Sequence, residues 1–166
     1  SAETKKGLFI IFLFVLGALS VLGLLDLSGR FGDFTNNLLS LFLGDIKWLF
    51  PILLGAWIFC SLNEHKYPIR LINYFGVFLV VVGLAGLFHL PFDSWAAFES
   101  AKAGDGGGYV GALIAWPLIS FMGFLGALVI LIAMFLVGIL LALETSIYGI
   151  MWPIKLFGWL FNKFKE

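Results

Sequence analysis

Charge is what this chain has least of. Only 12% of its 166 residues are Asp, Glu, Lys or Arg, about half the share of an ordinary soluble domain. Ten basic side chains balance ten acidic ones, so the net charge is zero and no global basic signature for nucleic acid exists. Cysteine occurs once, at Cys60, which excludes an internal disulfide and any thiol-oxidant chemistry that needs a cysteine pair. Lying inside an apolar run, Cys60 reads as a buried inert thiol. The two histidines are His65 and His89, and no second His, Cys or carboxylate stands at metal-ligand spacing to His89. No Gly-x-x-x-x-Gly-Lys-Ser/Thr occurs, so a P-loop is excluded. No Ser/His or paired-carboxylate arrangement survives placement along the chain. No catalytic, cofactor-binding or metal residue is expected, and the chain does not read as an enzyme.

What the chain has instead is apolar length. It is 61% apolar with a mean hydropathy of +1.06, the composition of an integral membrane protein. Its 19 Phe and 6 Trp suit lipid-facing and interfacial surfaces, and its 20 Gly suit close helix packing. The expected fold is all-α, with four transmembrane helices at about 7–25, 46–62, 71–90 and 124–143. Lys5-Lys6 before the first run imitates a signal peptide, but residues 7–25 carry no charge and no Ala-x-Ala exit, so a retained span is expected. Ser1 rather than Met opens the sequence, as in a chain processed or cut from something longer. The polar stretch 26–37 reads as a loop, 63–70 as a charged turn, and Pro91 as the stop of the third span. Residues 92–105 read as a second loop.

The region from Gly106 to Leu143 needs a special explanation. These 38 residues contain no Asp, Glu, Lys, Arg or His, whereas about 20 apolar residues cross a bilayer core. The run is too long for one span and too short for two spans with a turn. A shift of 79 positions accounts for it. Residues 32–62 laid over 111–141 bring Gly32 onto Gly111, Leu39 onto Leu118, Phe42 onto Phe121, Gly44 onto Gly123, Leu49 onto Leu128 and Leu62 onto Leu141. The two glycine pairs carry this match, and it reads as a parallel repeat. Two tandem hairpins follow, each with a short outer-face helix before its second span, at 32–44 and 111–123.

Lysine and arginine set the orientation. Seven lie on the side of the termini (Lys5, Lys6, Lys66, Arg70, Lys155, Lys163, Lys165) and three on the other (Arg30, Lys47, Lys102). Both termini, including residues 1–6, are expected to be cytoplasmic. Asp45, Lys47 and Glu144 read as markers of span boundaries. His89 reads as an interfacial hydrogen-bonding residue and His65 as solvated. Gly106-x-Gly108-x-x-Gly111 formally matches a dinucleotide fingerprint but lacks the strand-to-helix setting that gives the motif its chemistry. Its glycines instead read as a tight turn permitting close approach. Gly107, Gly111, Gly123, Gly126 and Ala127 are the candidate helix-packing or oligomer contacts. In the tail, Ile147, Ile150, Ile154, Phe157, Phe161 and Phe164 recur at helical spacing. Residues 149–166 therefore read as an amphipathic juxtamembrane helix in the cytoplasmic headgroup layer, anchored by Trp152, Trp159, Lys155 and Lys163.

The order of these features is distinctive. Lys6-Gly7 precedes the first span, and Leu49-Phe50-Pro51-Ile52-Leu53-Leu54 opens the second. Gly107-Gly108-Tyr109-Val110-Gly111 leads to Gly123-x-x-Gly126-Ala127 and a span ending Gly138-Ile139-Leu140-Leu141. Over roughly residues 5–148 the chain resembles the four-span N-terminal membrane domain of FtsK/SpoIIIE-type bacterial DNA translocases. It departs at Asp26-Leu27-Ser28, where many members have Asp-Pro-Ser.

The resemblance implies a non-catalytic anchor, oligomerisation and septum-targeting domain of a hexameric ATP-driven DNA translocase. Such a protein serves chromosome segregation at cell division, in the bacterial inner membrane. The ATP-binding and DNA-binding motor would follow a linker after residue 166. Implied partners are further copies of the chain, lipid, division-site membrane proteins and, through the motor, DNA. The alternative from the residues alone is a small multi-pass transporter or channel subunit. That reading needs a polar site near mid-membrane, for which only Ser20, Asn73 and Ser120 are available. An accessory membrane protein complete in itself is the third reading.

Overall fold

Apolar runs of this length leave the backbone one way to satisfy its hydrogen bonds in lipid, which is to coil into helices. The computed structural model describes residues 2–64, 67–92 and 96–143. Among them no strand occurs, and six helices follow in order: α1 (Ala2–Leu24), α2 (Gly29–Leu43), α3 (Leu49–Leu62), α4 (Leu71–His89), α5 (Ala97–Ala103) and α6 (Gly108–Ala142), with a 3-10 turn over Gly44–Trp48 between α2 and α3. Four stretches are long and apolar enough to cross a membrane, Glu3–Leu24, Gly29–Leu62, Leu71–His89 and Gly108–Ala142. The protein is an all-α, four-span, multi-pass membrane protein. The juxtamembrane helix expected over 149–166, with its anchors Trp152, Lys155, Trp159 and Lys163, lies outside the described residues.

The long uncharged run is one helix by hydrogen bonding but two by backbone angle. Inside α6, Gly123 has φ 70° and ψ 176°, a region open in practice only to glycine. It divides the helix into 108–122 and 124–142. Gly44 ends α2 with φ 58° and ψ −131°. Of the two glycine pairs that the 79-residue shift superposes, Gly44 and Gly123 are therefore both backbone breaks, while Gly32 and Gly111 lie inside α2 and α6 rather than opening them. The shift also pairs Gly29 with Gly108, which open α2 and α6 at φ 55° and 58°. As a result α2, at 15 residues, and the 108–122 segment have the same length.

Lengths then match a bilayer. Residues 124–142 rise about 28 Å at 1.5 Å each, near the roughly 30 Å of a hydrocarbon core. Helix α3 has 14 residues, only about 21 Å, and reaches about 31 Å when the 3-10 turn adds its steeper rise. The helical stretch long enough for this crossing thus starts at the Gly44 break.

Two loops are shorter than their polarity suggests. The stretch expected to be a loop over 26–37 is one only as far as Ser28, because α2 starts at Gly29. The expected loop over 92–105 contains α5, an Ala-rich helix closed by Gly104 at φ 85°, the left-handed cap that suits glycine. Helix α5 packs Ala97 and Ala101 on Ala112 of α6, and Phe98 meets the rings of Tyr109 and Trp116.

The helices run as two antiparallel pairs. In the first, Gly17 of α1 faces Leu54 of α3, Phe9 meets Trp57 edge-to-face, and Lys6 pairs with Glu64 at 2.6 Å. In the second, Gly76 of α4 meets Ala142 of α6, Gly83 meets Phe135, Gly86 meets Leu131, and Gly138 meets Val80. Trp57 and Tyr74 join the pairs through a 5.7 Å ring contact. We call the end that holds Lys6, Glu64 and Arg70 the near end, and the one that holds α2, α5 and His89 the far end.

Candidate functional site

At the far end the chain's polar and glycine residues converge on one junction between the hairpins. Gly44 turns out of α2 and presents Asp45, whose N–H donates to the Gly106 carbonyl at 2.7 Å. The Gly106 N–H in turn donates to Asp45 Oδ2 at 2.9 Å. This reciprocal pair ties the break of the first hairpin to the entry of α6. It forms only because no side chains intervene. A Cβ on Gly44 would lie 2.6 Å from the Gly108 nitrogen, and one on Gly108 would lie 2.6 Å from the Phe42 carbonyl carbon.

His89, the last residue of α4, completes the junction. It is fully buried. Its Nε2 lies 2.8 Å from the Ala97 carbonyl, and its Nδ1 accepts the Gly107 N–H at 3.3 Å. Those two partners make Nε2 the donor and Nδ1 the acceptor. The ring thus fastens α4, the start of α5 and the glycine turn to one another. The expectation of a hydrogen-bonding histidine meets an internal role, since both partners are backbone groups. Gly107 and Gly111 flank the ring. A Cβ on Gly107 would lie 2.8 Å from the Ala85 Cα, and one on Gly111 would lie 2.9 Å from the His89 Cβ.

The other candidate packing residues sit elsewhere. Ala127 is fully buried in a cluster with Leu90 and Leu131. Gly123 is the break itself, with no atom within 4 Å of an added Cβ, and Gly126 has only Met122 of its own helix there. Gly107, Gly111 and Ala127 thus pack inside the chain, whereas among the described residues no other helix comes within 4 Å of a Cβ added at Gly123 or Gly126.

Polar groups in the spans are engaged by the fold. Asn73 accepts the Arg70 N–H at 2.7 Å and donates to the Leu141 and Ala142 carbonyls at 3.3 and 3.0 Å. It caps the start of α4 and the end of α6 together. The Ser20 hydroxyl donates to Leu16 and the Ser120 hydroxyl to Trp116, each to a carbonyl one turn back. Lys47 donates to Asn36 Oδ1 at 2.8 Å and Ser40 Oγ at 3.0 Å, which fastens the 3-10 turn to α2. Among the described residues no three of His, Cys, Asp and Glu gather as metal ligands.

Pattern reading did not single out Gly44, Asp45, Gly106 and Gly108 as a contact between hairpins, nor Gly76, Gly83 and Gly138 as a helix interface. For the junction, a signal existed in the Gly29/Gly108 pair, which extends the repeat into the glycine turn. For the interface, the seven-residue spacing of Gly76 and Gly83 places them on one face of α4.

Compared with models of known families, residues 18–155 match the 4TM region of DNA translocase FtsK/SpoIIIE. No solved structure matches the chain.

Proposed function

The chain belongs to the family of FtsK/SpoIIIE four-span membrane regions, and on that premise we propose that it anchors and assembles an ATP-driven DNA translocase at the bacterial division septum. The match over residues 18–155, from within α1 to beyond α6, carries this reading. In it the chain contributes no catalytic group, and its polar side chains serve the fold. His89, Asp45, Asn73 and Lys47 direct their hydrogen bonds to neighbouring helices and turns. The sequence count of seven Lys and Arg on the side of the termini against three on the other supports cytoplasmic termini in the inner membrane. The motor would then lie beyond the C-terminal end and act on DNA in the cytoplasm.

Assembly into a ring, a hexamer by the family resemblance, needs a helix face free of internal partners. Gly123 and Gly126 supply that face, because Gly107, Gly111 and Ala127 are already packed within the chain. Helix association in lipid relies on such close approaches.

A C-terminal fluorescent fusion of the chain in dividing bacteria is expected to form a midcell band, while an even signal around the cell would overturn septal targeting. In nanodiscs, Gly126→Leu is expected to lower the oligomer mass, since among the described residues an added Cβ meets only Met122 of its own helix. An unchanged mass would remove Gly126 from the interface.

A further inference from the structure

Helix α2 lies across the far end of the bundle. Its first turn meets the last turn of α1, where Gly32 comes against Gly23, and its end meets the start of α6, where Phe42 comes against Gly108. Both contacts are at far-end helix tips, so α2 runs at the depth of the phospholipid headgroups.

Between α2 and α5 is a groove of about 360 Å³, large enough for a small-molecule group. The two helices close on each other where a Cβ on Gly104 would lie 3.0 Å from the Ser40 Cβ. On the α2 side the groove is lined by Phe34, Leu38 and Leu41 and by Asn37 and Ser40. At about 100° per residue the three apolar side chains share a sector of roughly 60°, and the two polar ones occupy the adjoining sector.

Charge at the groove is of one sign. Among the described residues that line it, Lys102 alone is charged, and it is exposed. A second ammonium reaches the groove through Ser40, because Lys47 Nζ donates to Ser40 Oγ at 3.0 Å and to Asn36 Oδ1 at 2.8 Å. Both acceptors are neutral, and among the described residues neither lysine has an acidic partner. Asp33 stands one turn before Asn37 and Asp105 one residue after Gly104, but neither lines the groove. Two cations without a counter-ion are complementary to an anion, and at this depth lipid phosphate supplies one.

We propose that the groove between α2 and α5 binds the phosphodiester headgroup of a phospholipid from the far-end leaflet. Lys102 takes the phosphate, with Asn37 and Ser40 as hydrogen-bond partners, and the start of an acyl chain covers Phe34, Leu38 and Leu41. A free phosphate ion would leave that apolar sector uncovered. Helix α2 belongs to the first hairpin and α5 to the second, so the bound lipid braces the hairpins beside the Asp45–Gly106 pair. The proposal needs the four-span fold alone and is independent of septal targeting and of ring assembly.

Native mass spectrometry of the full chain released from micelles counts bound lipid and gives its affinity. Phosphatidylglycerol is expected to bind, and Lys102→Gln to weaken it about tenfold, the worth of one charge-assisted hydrogen bond. Lys102→Arg is expected to retain the affinity, and Lys5→Gln, which removes a charge at the other end, to leave it unchanged. Diacylglycerol with the same chains but no phosphate is expected to leave the groove empty. Equal affinity in Lys102→Gln and the unaltered chain, or equal binding of diacylglycerol, would overturn the proposal. Displacement of the lipid by inorganic phosphate would also overturn it, by assigning the groove to a soluble ion.

Discussion

In the second hairpin, α4 and α6 approach until a Cβ on Gly76 would lie 2.6 Å from the Leu141 carbonyl carbon and one on Gly138 2.6 Å from the Val80 nitrogen. In the first, Gly17 faces Leu54 at 3.8 Å, and Gly55 has no neighbour within 4 Å. Side chains such as Leu54 and Trp57 hold α1 and α3 apart, whereas backbone touches backbone in the other pair. The two halves share their breaks, at Gly44 and Gly123, yet not their packing. A repeat of this kind sets where helices bend. How closely they pack depends on whether glycine falls on the facing side, and that differs between the copies.

The most severe way to break the comparison is Gly138→Leu. The facing backbone of α4 has no freedom to yield, so the expected cost is about 4–5 kcal/mol, beyond the usual range for overpacking. Gly55→Leu in the first hairpin is expected to stay within about 0.5 kcal/mol. Unfolding by denaturant titration in mixed micelles measures both. Similar costs for the two would mean that the hairpins do not differ in packing.

A finer comparison uses the two breaks. Gly123→Ala places a Cβ in open space, so its cost is backbone strain alone, about 1–2 kcal/mol. Gly44→Ala carries similar strain and also meets the Gly108 nitrogen at 2.6 Å and the Gly106 carbonyl carbon at 2.8 Å. About 1–3 kcal/mol more is expected there, with faster hydrogen exchange at Gly106 as its bond to Asp45 opens. Equal stability of the two variants would show that the junction at the far end tolerates separation.

What could be read from residues alone follows the same division. The four spans were legible because a bilayer demands about 20 apolar residues at each crossing. The breaks were legible because Gly44 and Gly123 stand at one shift. Gly29 and Gly108 obey that shift too, but they precede the 32–62 and 111–141 windows, Gly29 in a polar stretch and Gly108 among other glycines. Helix α5 escaped notice because Ala97–Ala103 is only 7 residues long, too short for a periodic pattern to emerge. The closeness of α4 and α6 was legible only as a shared face, from the seven-residue spacing of Gly76 and Gly83, with nothing to name its partner. Gly76 and Gly138 look like Gly7 and Gly55 until their partners are known. His89 was read as a hydrogen-bonding residue, but its partners are the carbonyl of Ala97 and the N–H of Gly107, backbone groups that no side-chain pattern displays.

The gentlest way to sharpen the comparison lies at the near end, where a polar contact of a different kind helps to close each hairpin. In the second, the Asn73 amide donates to the Leu141 and Ala142 carbonyls in the last turn of α6, so its loss removes both bonds next to apolar neighbours. Asn73→Leu is expected to destabilise by about 1 kcal/mol and to speed hydrogen exchange at the first turn of α4. In the first, Lys6 and Glu64 pair at 2.6 Å with side chains that remain 39% and 55% exposed. Water and salt screen such a pair and its ordering costs side-chain entropy, so Lys6→Gln is expected to change stability by less than about 0.5 kcal/mol. If Lys6→Gln proved the costlier of the two, the first hairpin would be held by charge rather than by side-chain packing, and its looser spacing would have a different cause.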